Sequence, residues 1–405
     1  MVERLRCRVC ESEYPAVAKG HCERCFGPLD PVYDWDALAA SISRELIEAG
    51  PSSLWRYEPL LPVAAPPGGD AAPGWTPLVS APRLASAVGV GEVLLKLDHT
   101  NPTHSFKDRV VAVAAAKAFE FGLETLACAS TGNLANAVAA RAAAAGVQAV
   151  VLCPAAVEPE KLLATSVYGA SVFGVLGSYD DCSRMVVELA GETDWAFVNV
   201  NLRSYYAEGS KTLAFEIAEQ LGWETPDAVV APVASGALFT KLWQGFEQFR
   251  RLELAYGAQP RLYGGQAEGC SPVARAFEDD RPVSPVRPAT VAQSLAIGNP
   301  ADGDSVIAAV RESGGTVHAV PESEVGENMA LLAGTSGVFG ETAAGVALGA
   351  LREAVARGEV GAGDRVVLLV TGDGLKTLDP VAGLFDPVEI EADADALLDE
   401  LGAAV

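Results

Sequence analysis

The sequence predicts an α/β protein, with two doubly wound parallel-sheet halves preceded by a small metal ribbon. Three observations carry this reading. From residue 92 onward, short apolar runs rich in Val and Leu alternate with longer helical segments. Continuous rather than alternating apolar strands, joined by helices, indicate parallel sheets covered on both faces. At 405 residues the chain exceeds one ordinary core and has room for two α/β units and an appendage. Finally, Cys7, Cys10, Cys22 and Cys25 crowd the N-terminus, whereas the other four cysteines are scattered singly.

Taken in order, residues 1–34 form the expected ribbon. The cysteines read C-x2-C, eleven residues, C-x2-C. A chain starting MVERLRCRVC lacks the apolar core of a signal peptide and is expected in the reducing cytoplasm, where disulfides are rare. Two knuckles of this spacing bring four thiolates to one tetrahedral zinc, with no open position, so a structural site is expected. A redox pair or four unrelated thiols are the alternatives. Residues 35–80 read as an arm and linker, with a short amphipathic helix near 36–49 and a Pro/Gly-rich stretch at 58–77.

Residues 81–225 form the first expected α/β half. Its strands lie in EVLLKL, TLACAS, VQAVVLC, ASVFGV and WAFVNV, with helices near 107–121, 133–145, 158–168, 179–191 and 208–222. Residues 226–405 form the second, with strands in DAVVAPV, RLYGGQ, GTVHAV and DRVVLLVT. The proline-bearing segment 278–302 is expected to be a long ordered loop.

The formal charge of −24 argues against nucleic acid and anionic lipid surfaces as general partners. Nor is there an uncharged apolar stretch of about 18 residues to span a membrane. Small-molecule chemistry remains, and in doubly wound sheets it sits beyond the carboxyl ends of the strands. Four segments leaving such ends are rich in small and polar residues: NPTHSFKDR, ASTGNLAN, APVASGALF and VTGDGLKT. Lys107 meets a helix N-terminus, where the dipole disfavours a cation and lowers the amine pKa, as a Schiff-base lysine requires. The alternative is a lysine paired with Asp108 or a nearby acid. Ser130, Thr131, Gly132 and Asn133 open a helix and read as an anion site or as an ordinary cap. Residues Ala234, Ser235, Gly236, Ala237 and Leu238 can wrap an oxyanion with backbone N–H groups. Thr371 and the glycines after it permit close approach to a ligand.

Together, S-F-K-D-R, S-T-G-N, the small-residue loop and T-G-x-G-L-K resemble the threonine synthases of the pyridoxal-phosphate fold type II family. The resemblance covers nearly the whole chain. It includes the two-knuckle N-terminus, Asn101-Pro102-Thr103, Glu208-Gly209-Ser210-Lys211-Thr212, Ile297-Gly298-Asn299-Pro300 and, more loosely, Gly340-Glu341-Thr342-Ala343-Ala344. It implies that Lys107 carries the cofactor and moves protons, with Phe106 packed by the ring. Asn133 would bond the ring hydroxyl, residues 234–238 the phosphate, and Thr371 would face the ring nitrogen. Ser130 and Thr131 would take the substrate carboxylate, with Arg203 and Tyr206 at the substrate's far end. A homodimer acting on a small amino-acid substrate is expected.

The chain departs from the family pattern around the substrate. The phosphate loop reads A-S-G-A-L rather than G-N-x-G-N, and Tyr206 stands where an arginine is usual, leaving Arg203 or Lys241 to compensate. Asp373 and Thr377 replace commoner residues in the last motif. The alternatives are therefore elimination or replacement on another O-activated amino acid, as in a cysteate synthase-like enzyme, or a ribbon-bearing binding protein without cofactor.

Overall fold

The computed structural model describes residues 2–66, 72–130, 132–156, 159–385 and 387–403. Strands β1 (Arg4–Cys7), β2 (Glu13–Pro15) and β3 (Leu29–Pro31) form an antiparallel three-stranded ribbon in the order β2-β1-β3. Strands β4 (Leu78–Ser80) and β5 (Glu92–Leu97) follow, then β6 (Thr125–Ala129), β7 (Gln148–Pro154), β8 (Ser171–Val175) and β9 (Trp195–Phe197). The second half adds β10 (Ala228–Pro232), β11 (Arg261–Ala267), β12 (Thr316–Val320) and β13 (Arg365–Val370).

These strands build a four-stranded parallel sheet, β8-β7-β6-β9, and a six-stranded sheet, β12-β11-β10-β13-β5-β4. Only the β4 edge of the larger sheet is antiparallel. Alternate residues of β5, β10 and β13 feed two core clusters on opposite faces of that sheet. Leu94, Val229 and Val367 lie in one, and Val93, Val230 and Leu368 in the other. That two-sided burial is what the continuous apolar runs encode.

The sheets do not follow the contiguous boundary expected at residue 225. β5 pairs with β13 from Arg365↔Glu92 to Val370↔Leu97, so the chain starts in the large sheet, builds the small one and returns. An apolar strand buried on both faces reads alike in either sheet, and only long-range pairing separates the two cases. The helix expected near 36–49 is split into Trp35–Ser41 and Arg44–Glu48, because Ser43 caps the second, its Oγ accepting from the Leu46 N–H at 3.2 Å. The helix near 208–222 begins with the short turns Arg203–Tyr206 and Ala207–Ser210 before Lys211–Gln220.

The ribbon rests on the small unit. Leu5, Cys7, Cys22 and Leu29 share a core with Val110, Ala114, Leu202 and Tyr205. Ser204 Oγ donates to the Lys19 carbonyl (3.0 Å), and Tyr205 Oη to the Val17 carbonyl (3.1 Å). A side chain at Gly20 would strike the Val200 carbonyl, so the contact requires glycine. Among the described residues, no helix is long and apolar enough to cross a membrane.

Candidate active site

Lys107 is the first residue of the helix Lys107–Glu120. The loop before it is stitched to the end of β13, with the Phe106 N–H donating to the Thr371 carbonyl (2.9 Å) and Ser105 bridging Gly372. Asp108 does not pair with the lysine, since its carboxylate accepts from the Thr103 N–H (2.7 Å) and Oγ1 (2.9 Å). Lys107 Nζ lies 4.5 Å from the Phe106 ring centroid and 5.9 Å from that of Tyr206. Burial pulls the amine down to about 8, against an opposing attraction from Glu341. A useful fraction of it is thus neutral and nucleophilic near pH 7–8.

Behind the lysine, Arg109 is fully buried. It donates to Asp98 (2.7 and 2.8 Å), Glu216 (2.8 Å) and Thr212 Oγ1 (2.9 Å). The D-R of the lysine motif therefore serves the scaffold, as does the G-S-K-T segment. Gly209 lies against the Arg109 backbone, where a Cβ would meet the carbonyl at 2.6 Å.

Asn133 opens the helix Asn133–Ala145 above β6 and reaches across to the β13 loop. Its Oδ1 accepts from Lys376 Nζ (2.8 Å), and its Nδ2 donates to Glu341 (3.0 and 3.2 Å). The ammonium thereby fixes which end of the amide faces the cleft. Glu341 caps the helix Thr342–Ala356, and its N–H donates to the Gly372 carbonyl (2.9 Å). Burial pushes its carboxyl up, while the Asn133 amide and two lysines pull the other way. Glu341 and Lys376 were not among the expected site residues, although both lie in quoted motifs. Their spacing marked a motif but not which side chain turns inward.

The small-residue loop joins β10 to the helix Ala237–Arg251, and β10 and β13 are neighbours, so this loop and Thr371 leave adjacent strand ends. Gly236 has φ +91° and no side chain caps the helix. A Cβ there would meet Val306 (2.8 Å) and Asp302 (3.0 Å). Thr371 is buried. Ser105 Oγ, between the lysine and the β13 end, is buried without a hydrogen-bond partner. A desolvated lysine, an oriented amide, an uncapped fifteen-residue helix start and an orphaned hydroxyl form a donor set that fits pyridoxal phosphate.

Of the remaining expected site residues, Ser130 lies at the end of β6, its N–H on the Leu152 carbonyl (3.0 Å). Thr131 lies outside the described residues. Tyr206 is buried near Lys107, and burial pushes its phenol up. Arg203 pairs with Asp302. Lys241, the other expected compensator, is buried and held by Asp30 (2.8 Å) and Glu208, so its charge is already spent.

The Sγ atoms of Cys7, Cys10, Cys22 and Cys25 all lie within 4.8 Å of one another. Contacts of 3.4 Å (Cys7–Cys25), 3.5 Å (Cys10–Cys22) and 3.4 Å (Cys10–Cys25) are near the ~3.8 Å edge of a tetrahedral zinc–thiolate site. The N–H groups of Val9 and Arg24 point at Cys7 and Cys22 Sγ (3.4 Å each). The cluster fits a closed four-thiolate metal.

A family model described as pyridoxal-phosphate dependent enzyme matches residues 70–372. A threonine synthase of Methanosarcina acetivorans is 36% identical over 398 residues, 97% of each chain. One from Synechocystis sp. is 40% identical over 327 residues, 80% of this chain and 82% of that one. Among solved structures, the processed form of threonine deaminase isoform 2 from Solanum lycopersicum aligns with TM-score 0.64 at 20% identity. It covers 76% of this chain and 84% of the other, a likeness of fold.

Proposed function

The chain belongs to the pyridoxal-phosphate dependent enzymes, within them to the threonine synthase family, and from this premise we propose that it converts O-phospho-L-homoserine and water to L-threonine and phosphate. The observation that carries the reading is Lys107, a desolvated amine without a carboxylate partner among the described residues, together with Asn133, whose amide Lys376 orients. When bound, pyridoxal phosphate supplies an electron sink that acidifies Cα of the amino acid.

The chain's own groups do the rest. Lys107 would hold the cofactor's aldehyde, and its amine would carry the proton at the substrate's Cα and then at Cβ. Asn133, its Oδ1 pinned by Lys376, would hydrogen-bond the ring oxygen. The N–H groups of 234–238 hold the phosphate at the helix start. The Thr371 hydroxyl would serve the ring nitrogen without charging it, which would suit elimination and replacement more than transamination. Ser130 and Thr131 take the substrate carboxylate. Tyr206 and Arg203 border its phosphate end, and Phe106 shields the lysine from water. We further infer that the four cysteines hold a structural zinc, and that the enzyme acts as a cytoplasmic homodimer, as the family resemblance implies.

The test is direct. Cofactor-loaded protein given O-phosphohomoserine should release phosphate and threonine in equal amounts. Release of phosphate without threonine, or turnover confined to O-phosphoserine or O-acetylserine, would overturn the assignment.

A further inference from the structure

Arg8 sits inside the first knuckle, between Cys7 and Cys10, yet its guanidinium leaves the ribbon. It donates to Asp302 Oδ1 (3.0 Å) and Ser305 Oγ (3.3 Å), and forks onto Asp30 (2.8 and 3.0 Å). The other oxygen of Asp302 takes Arg203. Asp302 is only 3% exposed and is pressed against the loop proposed to hold the cofactor's phosphate. Its N–H donates to the Ser235 carbonyl (3.0 Å), and its Cβ lies 3.0 Å from where a Gly236 side chain would begin.

A buried carboxylate beside a phosphate dianion is repulsive, and low dielectric magnifies the repulsion. Two guanidinium groups cancel that charge, and one of them belongs to the ribbon. The other charges nearby are already paired, with Asp30 held by Arg8 and Lys241, and Lys241 also held by Glu208.

We propose that Arg8 is a positioning residue that neutralises Asp302, so that the loop Ala234–Leu238 can hold the cofactor's phosphate. The ribbon fold is thereby coupled to cofactor affinity. Four thiolates on one metal fix the knuckle, the knuckle aims Arg8, and Arg8 sets the charge behind the loop. This rests on the reading of that loop as the phosphate site.

The experiment compares pyridoxal phosphate with pyridoxal, which reaches Lys107 but has no phosphate. Dissociation constants for both are measured on the full-length, zinc-loaded protein, with zinc content and melting temperature recorded for each variant. Wild type should prefer pyridoxal phosphate strongly. Arg8→Ala should weaken pyridoxal phosphate by roughly 10- to 100-fold while leaving pyridoxal within about twofold. Arg8→Lys should retain most of the affinity. Asp302→Asn should keep or tighten pyridoxal phosphate binding, and the Arg8→Ala Asp302→Asn double variant should recover most of the loss. An equal loss for both ligands in Arg8→Ala, no loss at all, or no rescue in the double variant would overturn the proposal. So would weakened phosphate binding in a folded Asp302→Asn protein, an arm that does not depend on Arg8→Ala folding. A wild type that binds both ligands equally would instead refute the loop reading itself.

Discussion

Lys107 and Arg109 are two residues apart at the start of one helix, and their surroundings differ in a way that separates scaffold from chemistry. Around Arg109 every charge has a partner. Asp98 and Glu216 take its guanidinium, Lys96 reaches Glu216 (2.7 Å), the Thr76 carbonyl (2.6 Å) and Gln220 (2.8 Å), and Glu216 also accepts from the Trp75 N–H (2.7 Å). Around Lys107 the accounting is incomplete. No carboxylate is in ion-pair contact among the described residues, Ser105 Oγ is orphaned, and Glu341 receives only the Asn133 amide. Two cationic side chains at one helix start thus end in opposite states. The fully paired network fixes geometry. The amine without an ion-pair partner is held by burial in the state that the proposed role requires.

The sharpest way to break this contrast is to remove each cation. Lys107→Ala should abolish cofactor attachment and lower turnover by roughly 10⁴-fold, with little change in melting temperature. Borohydride reduction and peptide mapping should place the pyridoxyl group on Lys107 in wild type and nowhere in the variant. Arg109→Met should do the reverse. Stranding buried Asp98 and Glu216 should cost about 3–5 kcal/mol by denaturant unfolding, while any protein that still folds keeps Lys107 reactive. A smaller effect is expected from Lys376→Met, which frees the Asn133 amide to turn. Loss of that charge-assisted hydrogen bond is worth about 1.5–3 kcal/mol, read as weaker cofactor binding and a shifted absorption band.

The smallest effect is a displacement along the pH axis. Lys107 reacts as the neutral amine, so cofactor capture by the apoprotein should rise about tenfold per pH unit up to about 8 and level off above it. The sign for stability agrees. Between about 8 and 10.5 the unfolded chain holds a proton that the folded chain has released, so this lysine makes folding more favourable as pH rises through that window. Glu341→Gln removes the charge that holds the amine's pKa up, and should shift the capture profile to lower pH. An unchanged midpoint in stopped-flow absorbance would show that Glu341 does not act on Lys107.

Much of this arrangement was legible in the chain. Nine apolar runs marked strands β5 to β13; most are buried on both faces and so must be continuously apolar, whereas the edge strand β8 was visible from its run alone, with no residue fully buried. The edge strand β4 gave no such signal. Its three residues, Leu78–Ser80, are half-exposed or exposed and follow a Pro/Gly-rich stretch. The lysine, the asparagine and the four cysteines could be singled out because their patterns are short and local. Glu341 and Lys376 were passed over because their importance depends on meeting Asn133 across about 208 and 243 residues of chain.

By itself, then, the sequence determined what is local. It set the order of strands and helices, the glycine that lets the loop after β10 turn at φ +91°, the knuckle spacing that gathers four thiols, and the lysine at a helix start. Each depends on residues within a turn or two of one another, where backbone sterics and spacing suffice. Tertiary structure decided what is relational. It placed β5 beside β13 rather than with the strands that follow it, and denied Asp108 to Lys107 by giving its carboxylate to Thr103. It spent Lys241 on Asp30 and Glu208, and set Arg8 of the ribbon and Arg203 of the small unit on one aspartate. Such choices turn on which buried charges can find partners, and desolvation settles them only once the whole chain has closed around them.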